Sequence, residues 1–234
     1  MKIIDTHNHI IDFSDINLIA DINITPAIEL KNWKKIEKLH LQNPKQTIPA
    51  FGIHPWFVET TPSLWFEELE ALLLKHKKAL IGETGLDRIK DSDGTLQKLF
   101  LKKHIELAIK HKRPLIIHAV KADIWLEEFW EDLSKTTFVI HSFNSKIELL
   151  KKAVSNGAYI SFSASILKNK QKELIINTTP LNKILLETDG PYQKGNIKDI
   201  ALEISKIINI EYEDFLRIAY DNSINFINSS ETKL

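Results

Sequence analysis

The sequence predicts an α/β protein built as a TIM-type (β/α)8 barrel, trimmed so that its first helix is short or missing. Three observations carry this. Eight short apolar runs recur along the chain, helical patterns separate most of them, and only residues 6–17 stand between the first run and the second. That interval is too short for an ordinary barrel helix. A doubly wound open sheet is the alternative the same alternation allows.

In order, the runs are "KIID" (2–5), "LIADINI" (18–24), "TIPAFGI" (47–53), "ALIGE" (79–83), "PLIIH" (114–118), "FVIH" (138–141), "AYISFS" (158–163) and "KILLE" (183–187). All are short and mostly apolar, as strands covered on both faces should be. Residues 63–76 read as a helix starting at Ser63, with Glu67 and Glu68 near the first turn, where the helix dipole favours negative charge. Trp65, Leu69, Leu72 and Leu73 mark its apolar face. Residues 95–111 carry Leu96, Leu99, Phe100, Leu107 and Ala108 at helical spacing. Further helices are expected over 122–133, 145–155, 166–176, 199–208 and 212–227, the last presenting Phe215, Leu216, Ala219, Phe226 and Ile227. The charge runs "KKIEK" and "KHKK" read as solvated helix surface. His40, His76, His104 and His111 fall on helices, away from the strand ends, and read as structural.

The 234 residues contain no Gly/Ser-rich or Pro-rich linker, only 7 glycines and no repeat of fixed period, so a single domain over 1–234 is expected. Lys plus Arg and Asp plus Glu are 31 each. A net charge of zero argues against broad, charge-driven binding of duplex nucleic acid, though not against a local phosphate site. There is no cysteine, so any metal must rest on imidazole and carboxylate. The start "MKIIDTHNHIIDF" is too charged for a signal peptide, and no apolar run approaches the roughly 20 residues of a membrane helix. A cytoplasmic monomer without a membrane partner is the expectation.

The ionisable residues fall at one end of the expected strands. His7 and His9 follow the first, His54 the third, Glu83 ends the fourth, His118 the fifth, His141 the sixth, and Asp189 follows the eighth. In a barrel the C-terminal ends of the strands form the active-site face. Each residue alone has a plain reading: surface histidines, hydrogen-bonded core histidines, a capping carboxylate, a turn aspartate. Together, four histidines and two carboxylates suffice for two divalent ions. Imidazole suits zinc, manganese or iron, and carboxylate with water suits magnesium or manganese.

The segments "DTHNH", "GIHPW", "GETGLD", "PLIIHAV", "HSFNS", "GAYISFS", "LLETDGPY" and "DNSINFI" occur in the order found in the TatD family of metal-dependent hydrolases, within the amidohydrolase superfamily. The similarity runs over nearly the whole chain and resembles a compact subgroup. The resemblance implies a barrel hydrolase with two divalent ions, Mg2+ or Mn2+ in function and Zn2+ possible as bound. It implies a 3′-to-5′ exonuclease on single-stranded DNA or RNA ends. His7, His9 and Asp189 would hold one ion, His118 and His141 the other, and Glu83 both. Asp189 would be general base for a metal-activated water. His54 would contact substrate phosphate or the water network, or else pack beside Pro55 and Trp56. Asp5 and Asp87 would orient ligating imidazoles.

The chain departs from the family where substrate is met. Many members place Ser-Arg or Cys-Arg after the histidine of strand five; here "HAVKAD" offers Lys121, a point charge without the guanidinium fork. Where many read H-x-F-S-G, this chain has Asn144 and Ser145. Lys121, Arg88, Lys168 and Lys194 are candidate phosphate partners. Trp56, Phe143 and Tyr192 are candidates for stacking a base, or else wall the barrel mouth. The departures leave two alternatives to a nuclease. One is an ester or amide hydrolase, acting on a D-aminoacyl-tRNA or a small cyclic amide. The other is a binding subunit that has lost catalysis.

Overall fold

The computed structural model describes residues 2–12 and 20–230. Among them eight strands form one sheet: β1 (Ile4–Asp5), β2 (Ile22–Pro26), β3 (Thr47–Phe51), β4 (Leu80–Asp87), β5 (Leu115–Val120), β6 (Phe138–Ile140), β7 (Tyr159–Phe162) and β8 (Ile184–Leu186). Each strand pairs parallel with the next in sequence order. A doubly wound sheet would reverse that order midway, so the open-sheet alternative is excluded. The two edges meet: Thr6 N–H donates to Leu186 O at 3.0 Å and Asp189 N–H to His7 O at 2.9 Å. The fold is a (β/α)8 barrel. After β1 comes a single 3-10 turn, Ile10–Asp12. The rest of the expected short first connection, 13–19, lies outside the described residues, as does the start of the run expected over 18–24.

Nine α-helices follow among the described residues: α1 (Leu30–Gln42), α2 (Trp65–Lys75), α3 (Thr95–His111), α4 (Asp123–Leu126), α5 (Trp130–Leu133), α6 (Ile147–Ser155), α7 (Lys172–Thr178), α8 (Ile197–Ile208) and α9 (Tyr212–Ile227). α1 carries "KKIEK". Two expectations are corrected. The helix expected over 122–133 is the pair α4 and α5, because Glu128 and Phe129 bond back three residues, to Trp125 O and Leu126 O, and so tighten the turn. The helix expected over 166–176 divides at Asn169, whose side chain accepts from Gln171 N–H at 2.8 Å in an Asx turn. No helix among the described residues is long and apolar enough to cross a membrane.

The core has two layers. Outward-facing strand residues such as Leu115, Ile117, Phe138, Ile140, Ile184 and Leu186 pack beneath the helices. Inside the barrel, Ile24, Ala50, Leu80, Ile116, Val139 and Leu185 close on Phe226 of α9. Side chains alternate faces along a strand. Two residues beyond inward Ile116, Val139 and Leu185 lie His118, His141 and Glu187. The apolar plug is therefore the floor of a polar chamber at the C-terminal end. On β4 the register shifts between Ile81 and Thr84, which brings Glu83 into the same chamber. Gly85 lets β4 approach β5: a Cβ there would lie 2.0 Å from His118 O.

The four helix-borne histidines serve structure. His76 and His111 each sit 2.6 Å from a carboxylate, Glu37 and Glu70. His40 Nδ1 lies 2.9 Å from Thr47 O. His104 is fully buried, and its Nε2 accepts from Ile53 N–H at 3.1 Å, while its Nδ1 lies 2.7 Å from Phe100 O and donates to it. Burial lowers its pKa from 6.5 to about 4. Between those values the unfolded chain holds the proton and the folded chain does not, so stability falls as pH drops through that window. The cost is about 2 kcal/mol between pH 7 and pH 5. In metal-free buffer, H104Q should lose correspondingly less than wild type over this range in urea melts; equal losses would remove His104 as the cause.

Candidate metal centre

Glu83 is buried at the middle of the chamber, and its two oxygens face different histidine groups. Oε2 lies 3.2 Å from His7 Nε2 and 3.6 Å from His9 Nε2. Oε1 lies 2.9 Å from His118 Nδ1, 2.9 Å from His141 Nε2 and 3.3 Å from His54 Nε2. Within the groups the imidazole nitrogens are close: 3.1 Å for His7 and His9, 3.2 Å for His118 and His141. Asp189 Oδ1 completes the first group at 3.6 Å from His9 Nε2 and 3.9 Å from His7 Nε2. All six residues expected as ligands thus meet in one place, although His7 and Asp189 are far apart in sequence.

These donors fit divalent cations. Metal–nitrogen and metal–oxygen bonds of about 2.1 Å put neighbouring ligand atoms about 3 Å apart, the spacing seen in each histidine pair. The set is nitrogen and oxygen only, and His7 and His9 both turn Nε2 to Glu83 Oε2. Burial pushes the Glu83 carboxyl up, but His141, His54 and His7 together outweigh it and hold the group well below the usual range. Burial likewise lowers His141, yet Glu83 and Glu187 raise it well above an ordinary histidine. Asp189 is drawn down to about 2, its burial outweighed by the His9 contact and by His141 and His7. The chamber is a fixed anion that demands positive charge, met by imidazolium protons or by metal.

His54 is 6 % exposed and reaches this chamber. Its Nδ1 accepts from Trp56 N–H at 3.2 Å, so the neutral ring carries its proton on Nε2, toward Glu83. Burial keeps it neutral, with a pKa of about 4. Asp87 Oδ2 lies 3.6 Å from His118 Nε2 and accepts the Trp56 indole N–H at 2.7 Å. That separation is too long for a direct hydrogen bond, so Asp87 faces the His118 ring as an ion-pair partner. Asp5 does something else. Its carboxylate accepts from His7 N–H at 3.2 Å, Thr188 N–H at 3.0 Å and the Thr188 hydroxyl at 2.6 Å. It ties the backbones after β1 and β8 together and touches no ligand ring, which corrects that expectation. Burial raises its pKa to about 7.

A cavity of about 150 Å3 opens over the centre, lined in part by Ile28, Trp56, Phe57 and Tyr192. Trp56 and Tyr192 are 52 % and 60 % exposed and stand edge-on to His54 and His9. Tyr192 also donates its hydroxyl to Asp12 at 2.9 Å. Three substrate-side candidates are not among the described residues that line the cavity. Phe143 is 2 % exposed and packs in the core, because the left-handed backbone of Ser142 (φ 45°) breaks the strand alternation that would have set it beside inward His141. Arg88 lies outside the cavity with its guanidinium 5.3 Å over the Trp125 ring. Lys121 is exposed, in left-handed backbone (φ 49°) after β5, and does not line the cavity.

Two residues at the site escaped the sequence reading. Glu187 is fully buried, with Oε1 3.3 Å from His141 Nδ1. Strand alternation could have found it, since it stands two residues beyond inward Leu185. Gln193 donates to Asp189 Oδ2 at 2.7 Å; no local pattern marks it.

A (β/α)8 barrel with histidine groups around one shared carboxylate at its C-terminal mouth defines a metal-dependent hydrolase with an amidohydrolase-like fold. A family model described as TatD related DNase matches residues 4–228, and the chain belongs to this family. It is 31% identical over 225 residues to the uncharacterized metal-dependent hydrolase BU355 of Buchnera aphidicola subsp. Acyrthosiphon pisum, covering 87% of this chain and 84% of that one. It is 29% identical over 157 residues to deoxyribonuclease Tat-D of Schizosaccharomyces pombe, covering 60% and 50%. The crystal structure of YJJV, a TATD homolog from Escherichia coli, superposes with a TM-score of 0.85 at 22% identity, over 97% of this chain and 98% of that one.

Proposed function

We propose that this hydrolase is a two-metal 3′-to-5′ exonuclease acting on single-stranded DNA or RNA ends, working with Mg2+ or Mn2+. The observation that carries the reading is Glu83, whose two oxygens each serve a separate histidine group. His7, His9 and Asp189 would hold one ion, and His118 and His141 the other. Bound cations supply positive charge that draws a proton from water and offsets charge on the phosphodiester. Asp189, ionised and at the edge of the cavity, takes the proton of the attacking water. His54 can donate from Nε2 toward substrate or water. Trp56 and Tyr192 flank the mouth, where an aromatic face can hold an unpaired base at about 1–3 kcal/mol. The narrow, walled cavity suits a terminal nucleotide better than a duplex.

One observation favours a second reading. Among the described residues that line the cavity there is neither Lys nor Arg, so substrate phosphate there would meet metal and imidazole. That environment also suits a neutral ester or amide. A time course on a single-stranded oligonucleotide labelled at its 5′ end, with Mn2+ or Mg2+ against EDTA, separates the two. Stepwise shortening that EDTA stops is expected. Intact oligonucleotide alongside measured metal binding would overturn the nuclease and leave the ester or amide hydrolase.

A further inference from the structure

The amide of Gln193 is saturated with hydrogen bonds, and its partners come from three strand ends. Its Nε2 donates to Asp189 Oδ2 and to Ser142 Oγ, each at 2.7 Å. Its Oε1 accepts from Ser163 Oγ at 2.9 Å and from Ser165 N–H at 3.1 Å. An amide offers two donor hydrogens and two acceptor lone pairs, and all four are used. The orientation is unambiguous. Ser165 N–H can only donate and an ionised Asp189 can only accept, so a flipped amide would lose both contacts.

Both residues that accept from Nε2 sit in left-handed backbone, Ser142 at φ 45° and Asp189 at φ 53°. Non-glycine residues hold that conformation at a cost, and surrounding contacts must fix it. Gln193 supplies such contacts to both residues at once. It also donates its own backbone N–H to Asp189 O at 3.1 Å. With Oδ2 held by the amide, Asp189 presents Oδ1 to His9 and His7. A carboxylate free to rotate would share its oxygens between the site and the serine cluster.

We infer that Gln193 is a positioning residue: it sets the rotamer of Asp189 and so the affinity of the His7–His9–Asp189 group for a divalent cation. The inference rests on the metal reading given above. It assigns Gln193 no contact with substrate. Outer partners of this kind typically change metal affinity by about 10–100-fold.

The test is Mn2+ binding, read from the free-ion signal in electron paramagnetic resonance, on the full chain as wild type, Q193M, D189A and the double variant. Met keeps the length of Gln and removes its donors and acceptor. Q193M should bind Mn2+ at least about 10-fold more weakly than wild type. In the D189A background, where no side chain is left for the amide to hold, the same change should have less than about a threefold effect, because a residue acting through Asp189 cannot act once that carboxylate is gone. Q193N, which keeps the amide but is one carbon short, should behave as Q193M does, and carries the test if Q193M fails to fold. Unchanged affinity in the single variant, or equal losses in both backgrounds, would overturn the positioning role. If the wild type itself binds no Mn2+, the metal reading fails and the inference with it. If the wild type binds Mn2+ but cuts no oligonucleotide, only the nuclease assignment fails; the affinity cycle then decides the Gln193 role by the same outcomes.

Discussion

Replacing Glu83 with Gln should empty both halves of the centre and lower kcat/KM by about 1000-fold or more. The size follows from its place. Every other ligand belongs to one group, whereas Glu83 Oε2 faces His7 and His9 while Oε1 faces His118 and His141. Gln keeps the shape but brings one neutral oxygen and an N–H2 that would point at imidazole lone pairs or at a cation. The charge that holds His141 far above an ordinary histidine goes with it. The fold should survive, because the neighbouring histidines can release their protons instead of being left as unpaired buried cations. Calorimetric titration with Mn2+, a thermal melt and an oligonucleotide assay on the same preparation make the check. Wild-type binding with wild-type turnover would defeat the shared-carboxylate account.

Asp189→Asn should act differently. Asn removes one charge but leaves His7, His9 and Glu83 Oε2 in place, so metal binding should weaken without vanishing. A proton acceptor is lost, and kcat should fall by about 100- to 10000-fold. The distinguishing result is the response to excess metal. If Asp189 served only as a ligand, saturating Mn2+ would restore the rate; as a base its loss cannot be titrated away. Recovery of wild-type kcat at high Mn2+ would therefore reduce Asp189 to a ligand. Gln193 complicates the substitution in a useful way. Its Nε2 donates to Oδ2, so the introduced amide would most readily turn its own oxygen toward Gln193 and its N–H2 toward the histidines. Some of the affinity lost in this variant should reflect that reversal.

The site's membership and its coupling were legible to different degrees. Six candidate ligands could be named because each sits beside a recognisable strand end and the segments around them resemble one family in order. Strand alternation also contained Glu187, since it follows from the parity of Leu185, but not the burial of Phe143, which shares the parity of His141 and is turned away at left-handed Ser142. What alternation could not contain is Gln193. Its partners, Ser142, Ser163, Ser165 and Asp189, come from loops after β6, β7 and β8, and only closure of the barrel brings these loops together. Asp5 was misplaced for a related reason. A carboxylate two residues before His7 looks set to serve that ring, yet the backbone and hydroxyl of Thr188 arrive across the β1–β8 seam and take it.

By itself the sequence determined the strand count, the helix faces, the absence of thiolate ligands and the inventory of imidazole and carboxylate; the order of the strands around the barrel came with their pairing. These depend on periodicity and composition, which act over a few residues. Tertiary structure alone decided which oxygen of Glu83 faces which histidines, which aromatics reach the cavity, and that Arg88 lies over the Trp125 ring. Those outcomes depend on contacts between segments distant in sequence. A register shift in β4, or the burial of one ring, changes them without altering any local pattern.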